Sequence, residues 1–242
     1  LLGFAAAACV AAPPAMASDI TKAVMEKAFA EASPALCVVL YTNEVTNPDT
    51  GAITQGDSRV MGVIVAPDGL VIAQGHMQRD NNQPRNIRVR VGRGDSSREY
   101  GAVMLRKPSE VNLCFLRVQM EGQEALPCVR FAPDVALTLG DPLLLVGMLG
   151  ENLDFAPALQ TRRVGAVIES PRKTYCIDDT LPFGFVTAPV ANAEGQFIGL
   201  IGYDLAAEEG GEIYTRSGHP LVYQAALFLP YVQQPPSETD IQ

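Results

Sequence analysis

The sequence predicts an all-β protein of two packed six-stranded antiparallel β-barrels, with a short helix leading in and a second helix closing the chain. Three observations carry this expectation. About a dozen short apolar runs are separated by Pro, Gly, Asp and Asn, at the spacing of a sandwich or barrel. Within NIRVRVG, Ile87, Val89 and Val91 alternate with Arg88 and Arg90, a period of two that gives a strand one buried and one wet face. The runs also divide near Phe131–Asp134 into two groups of about six, as two small barrels require.

In chain order, residues 1–17 open with LLGFAAAACVAAPPAMA, which carries no charge and ends in the small-x-small triplet Ala15-Met16-Ala17. This reads as the apolar part and cleavage site of a secretory signal, so a periplasmic or secreted protein is expected, with cleavage near Ala17-Ser18. Pro13 and Pro14 interrupt the run before the roughly 20 apolar residues of a membrane span, so no stable span is expected. Residues 18–34 hold the leading helix, with Ile20, Val24, Met25 and Phe29 at helical spacing and Ser33-Pro34 as its stop.

The N-terminal barrel is assigned to residues 35–133, through ALCVVLY, VMGVIVA, LVIAQ, NIRVRVG, GAVMLR and NLCFLRV. Asp68-Gly69 sits at the tip of a hairpin, a pair that accepts the positive φ of a tight primed turn. Residues 134–230 supply PLLLVGM, RRVGAVIE, FGFVTAPVA, QFIGLIGYD and EIYTR, then the closing helix YQAALFLPYV, and a Pro-rich tail fills 231–242.

Composition narrows the function. Of 242 residues 48% are hydrophobic and 19% charged, a balance that supports a compact core rather than disorder. The net charge of -9 argues against a nucleic-acid partner, because neutralising phosphates needs a basic face. From Arg79 to Lys107 eight basic residues stand against three acidic ones, read either as a solvated strand face or as a docking patch for an acidic partner. Past the signal, Cys37, Cys114, Cys128 and Cys176 contain no C-x-x-C pair, and bridges and buried thiols both stay open. With only His76 and His219 as histidines, no metal site is expected, and no cofactor.

Several segments taken together resemble trypsin-like serine proteases of the bacterial HtrA type. MGVIVAPDGLVIAQGHM resembles the strand, Asp-Gly turn and strand that end in the family's general-base histidine, which implies that role's position for His76. GAVMLRKPSEVNLCFLRV resembles the stretch carrying the triad aspartate, where Asn112 stands instead. GDPLLLVGMLG and RRVGAVIE resemble the segments that follow, and GFVTAPVANAEGQFIGL lies over the nucleophile loop. Anchoring on Pro189, Asn192, Gly195 and Gly199 puts Gly184 at the loop's first glycine and Val186 at the nucleophile, with Thr187 and Ala188 at the next two glycines. The resemblance spans about residues 33–230 and implies the family's double barrel with the site in its cleft.

A valine has no lone pair with which to attack a carbonyl, and losing a triad nucleophile costs about 10⁶ in turnover. Asn112 brings no charge to stabilise an imidazolium. Gly184 and Val186 could still present the backbone N–H groups of an oxyanion hole, but Thr187 and Ala188 add β-carbons where a tight loop favours glycine. The expectation is therefore a protease frame without protease chemistry, acting as a binding or scaffold module on a protein or peptide partner in the cell envelope. Two other readings stand beside it. SGHPLV echoes a nucleophile loop, making Ser217 with His76 an alternative endopeptidase pair, and the cleft could serve a periplasmic chaperone by strand addition to an unfolded peptide.

Overall fold

The computed structural model describes residues 19–47, 49–78, 82–108, 111–122, 124–133, 135–170, 173–178, 180–203 and 220–238. The segment expected to be a signal at 1–17, the strand expected at EIYTR, Ser217 and His219 lie outside the described residues.

Helix α1 spans Lys22–Ala32, its first turn capped by Thr21, whose hydroxyl accepts from the Val24 amide at 3.4 Å. It stops where the sequence stops it: Ser33 Oγ returns to the Phe29 carbonyl at 2.6 Å, and Pro34 turns the chain through a short 3₁₀ turn. Asp19, just ahead of it, pairs with Arg163 at 2.8 Å.

The first barrel is built from β1 (Leu36–Thr46), β2 (Ile53–Ala66), β3 (Leu70–Gln74), β4 (Asn82–Val91), β5 (Arg98–Met104) and β6 (Leu113–Val118). It closes in the order β1-β2-β3-β6-β5-β4, every neighbour antiparallel. The second holds β7 (Pro142–Met148), β8 (Pro157–Ile168), β9 (Thr174–Ile177), β10 (Pro189–Ala191), β11 (Phe197–Tyr203) and β12 (Pro220–Gln224), closed as β10-β11-β12-β9-β8-β7. Closure removes most unpaired strand edges, and each barrel is filled by the inward face of its strands. Leu70, Val71, Ile72, Leu116, Leu143, Leu144, Leu200 and Ile201 are fully buried. The fold class is as the sequence predicts.

Helix α2 (Ala225–Gln233) joins the barrels. Phe131, on the connection between barrels, meets Phe228 edge-on at 5.1 Å and Phe197 at 6.3 Å, while Tyr231 tilts against Phe115 of the first barrel at 5.7 Å. The chain beyond the helix returns to the first barrel, where the Arg106 amide donates to the Ser237 carbonyl at 2.8 Å.

Three local expectations need correction. The Asp68-Gly69 turn is not a two-residue primed turn: only Gly69 takes positive φ, at 82°, its amide bonds the Ala66 carbonyl at 3.1 Å, and the register shifts between Ile64 and Ala66. That is a three-residue loop with a bulge, which needs one left-handed residue rather than two. FGFVTAPVA is strand only at Pro189–Ala191, because Phe183–Phe185 form a 3₁₀ turn. The closing helix begins two residues later than the pattern suggests, since Tyr223 and Gln224 are held in β12 by pairing with β11. The Arg-rich stretch is a solvated face laced with ion pairs: Arg85 pairs with Glu44 at 3.0 Å, Arg88 and Arg90 share Glu99 at 2.8 and 2.7 Å, and Arg93 meets Asp154 at 3.6 Å.

Candidate active site between the two barrels

Two strand ends from the first barrel and a turn from the second converge on one cavity of about 50 Å³. Its lining includes Gln74 at the end of β3, Gly75 and His76 just after it, Asn112 before β6, Val186 and Thr187 before β10, and Tyr203 at the end of β11. The structure thus brings His76, Asn112 and Val186 together, residues lying far apart in the chain.

The first-barrel side is held by close backbone approach. The Gly75 amide donates to the Asn112 carbonyl at 3.1 Å, and a β-carbon at Gly75 would collide with Asn112. Glycine is required here by contact rather than by φ. His76 follows in a 3₁₀ turn, half-buried, while Met77 is fully buried beneath it.

Asn112 spends both ends of its amide on partners other than His76. Its Oδ1 accepts from Lys107 Nζ at 3.0 Å, and its Nδ2 donates to the Tyr203 carbonyl across the barrel interface at 3.0 Å. Because an ammonium can only donate and a carbonyl only accept, these partners fix which amide atom points where. Lys107 also donates to the Gly75 carbonyl at 2.9 Å. An ammonium therefore sits directly beside the Asn112 amide and brings positive charge to this corner of the cavity.

On the second-barrel side, Gly184 is pressed onto β7, where any β-carbon would strike the Met148 carbonyl. Phe185 is fully buried, and Val186 is only 8% exposed. Thr187 takes φ of 74°, a left-handed conformation that is an outlier for a β-branched residue. It is pinned there by its amide, which donates to the Ile201 carbonyl at 2.8 Å, and by the Ala188 and Ile201 amides, which bond Phe185 and Ala188 carbonyls at 3.1 and 2.9 Å. The turn keeps the backbone path of a glycine without the glycine. The Thr187 hydroxyl, fully buried, has no hydrogen-bond partner, so it is not engaged with the imidazole.

The nearest thiol supplies no substitute nucleophile. Cys114 Sγ lies 3.6 Å from the Gly75 carbonyl, and burial pushes its thiol up to about 11, which keeps it protonated at neutral pH. Burial raises Cys37 and Cys128 as well. No disulfide joins Cys37, Cys114, Cys128 and Cys176.

Sequence reading missed Lys107, Gln74 and Tyr203. A lysine five residues before Asn112 was the available signal for the first. Gln74, 4% exposed, carries an Nε2 without a hydrogen-bond partner, and nothing local in LVIAQ announces it.

A broader, more apolar cleft of about 380 Å³ opens on the other side of Gly184, lined by Val38, Val60, Met61, Met148 and Phe155. Arg59 of β2 and Glu151 of the β7–β8 turn, both lining residues, bridge the barrels at 2.7 Å.

Residues 60–200, more than half of the chain, match the family described as trypsin-like peptidase domain. Among solved structures the fold is similar to that of the HtrA-type protease AlgW with a decapeptide, at a TM-score of 0.64 and 17% identity. That alignment covers 86% of this chain and 65% of the other, so the chain spans a little under two thirds of that protein's length. No curated protein matches the chain.

Proposed function

This chain belongs to the trypsin-like peptidase family, and from that premise we propose that it is a member that no longer cleaves peptide bonds and works by holding a protein or peptide segment in the cell envelope. The observation that carries this reading is the pairing at the acid position, Lys107 Nζ on Asn112 Oδ1, opposite a valine at the nucleophile position. Acyl transfer needs an oxygen or sulfur nucleophile, a base to take its proton and a negative charge to steady the resulting imidazolium. Val186 supplies no nucleophile, and Lys107 brings the wrong sign of charge. Each of these two losses would be severe, and they do not add, because the first already removes nearly all the rate.

Binding is supported by the frame that survives. The apolar cleft is of the size that takes one or two side chains, and its rim is charged, as peptide and ligand sites usually are. The HtrA-type protease of similar fold is described with a bound decapeptide. Placement in the envelope rests on the uncharged, small-residue segment at 1–17.

The test is two measurements on the purified chain. A fluorophosphonate probe is expected to leave it unlabelled and unfolded casein to stay intact, while fluorescently labelled unfolded casein shows saturable binding by anisotropy. Labelling that disappears in Ser217→Ala would overturn inertness in favour of the endopeptidase reading, and absence of binding would overturn the binding role.

A further inference from the structure

The geometry points to the cavity between His76 and Thr187 as a binding site for a small monovalent anion, of the size of chloride or formate. Four acceptors at the lining are already occupied. The Gly75 carbonyl accepts from Lys107 and Cys114, the Tyr203 carbonyl from Asn112, the Ile201 carbonyl from the Thr187 amide, and Asn112 Oδ1 from Lys107. Left over are Gln74 Nε2 and Thr187 Oγ1, on side chains 4% and 0% exposed, both lining the cavity and both without a hydrogen-bond partner. Stranded polar groups of this kind call for an occupant, because a buried donor without an acceptor is costly.

Charge favours an anion over water alone. Among the described residues no carboxylate lines the cavity, and the ammonium of Lys107 is one hydrogen bond away through Asn112. The whole chain carries -9, but charges on the outer surface are screened over a Debye length of about 8–10 Å, whereas Lys107 is half-buried beside the cavity. About 50 Å³ also exceeds the room one water needs and suits a compact ion held by an amide, a hydroxyl and a nearby cation. The loss of a triad carboxylate has in this view left a cation-backed hollow that a small anion neutralises.

Chloride NMR line broadening on the full chain tests this. The wild type is expected to show a saturable excess line width that bromide displaces. Thr187→Val, which keeps shape and removes only the hydroxyl, and Lys107→Met are both expected to lose the saturable part. Gln74→Leu serves as the second cavity variant should Lys107→Met fail to fold. Equal broadening in wild type and Thr187→Val, or none in the wild type, would overturn the proposal and leave the cavity to water. Peptide binding does not enter this readout, so the site stands or falls separately from the proposed function.

Discussion

Lys107 Nζ donates to Asn112 Oδ1 at 3.0 Å, and the same Asn112 reaches across the barrel interface to the Tyr203 carbonyl at 3.0 Å. The Asn112 side chain is thus a structural tie between the barrels, anchored by a cation. Hydrogen bonds to a charged group contribute about 1.5–3 kcal/mol when buried, and half-burial here trims that. A double-mutant cycle with Lys107→Met and Asn112→Ala is expected to give a coupling of about 1–2 kcal/mol in urea unfolding. Coupling indistinguishable from zero would mean the contact does not hold the site.

Thr187 stores strain. A β-branched residue at φ of 74° costs about 1–3 kcal/mol, and glycine accepts that conformation freely while losing up to about 1 kcal/mol through the entropy of the unfolded chain. Thr187→Gly is therefore expected to stabilise the protein by about 1 kcal/mol, a rise of roughly 2–4 °C in Tm. Thr187→Ala keeps the positive φ and a β-carbon and is expected to gain less. A Tm for Thr187→Gly below that of Thr187→Ala would show that packing of the threonine outweighs its backbone strain.

The strands were legible because alternation and turn residues act within a few positions, as in NIRVRVG, and the barrel count followed from them. What stayed hidden depends on chain-distant partners. Arg88 and Arg90 look unpaired in sequence, yet Glu99 reaches both from the adjacent strand β5. That His76, Asn112 and Val186 share one cavity could be expected from the resemblance, since each sits in a recognisable segment. The Lys107 contact could not, because it arises only when the loop before β6 folds back over Gly75. Turn type at Asp68-Gly69 also escaped, since one dipeptide fits two loop lengths that differ only in the bulge beside it.

Placing a hydroxyl at Val186 alone is expected to create no reactive nucleophile. Val186→Ser would place an oxygen at a position only 8% exposed, next to a strained threonine and opposite an amide already tied to Lys107 and Tyr203. Without a carboxylate behind the histidine, turnover falls about 10⁴ even in an otherwise intact triad. Fluorophosphonate labelling of Val186→Ser should match the unmodified chain. Labelling is expected first when Val186→Ser is combined with Asn112→Asp, Thr187→Gly and Ala188→Gly. Robust labelling of the single variant would show that the acid position matters far less than the geometry implies.

Buried thiols give the fold a particular alkaline sensitivity. Burial raises the Cys114 thiol from 9.0 to about 11, so the native state keeps its proton where the unfolded chain has already released it. Below the unfolded value both states are protonated, and the group leaves stability unchanged. As pH rises between the two values the unfolded state binds fewer protons, and stability falls by about 1.4 kcal/mol for each unit, or about 3 kcal/mol by pH 11. Cys37 acts in the same direction, also through burial. The urea midpoint is therefore expected to drop between about pH 9 and 11, and Cys114→Ala to flatten that drop by up to about 3 kcal/mol while costing stability at neutral pH through the cavity it leaves. Parallel pH profiles for the two proteins would show that Cys114 loses its proton as readily folded as unfolded, which a side chain buried against the Gly75 carbonyl should not do.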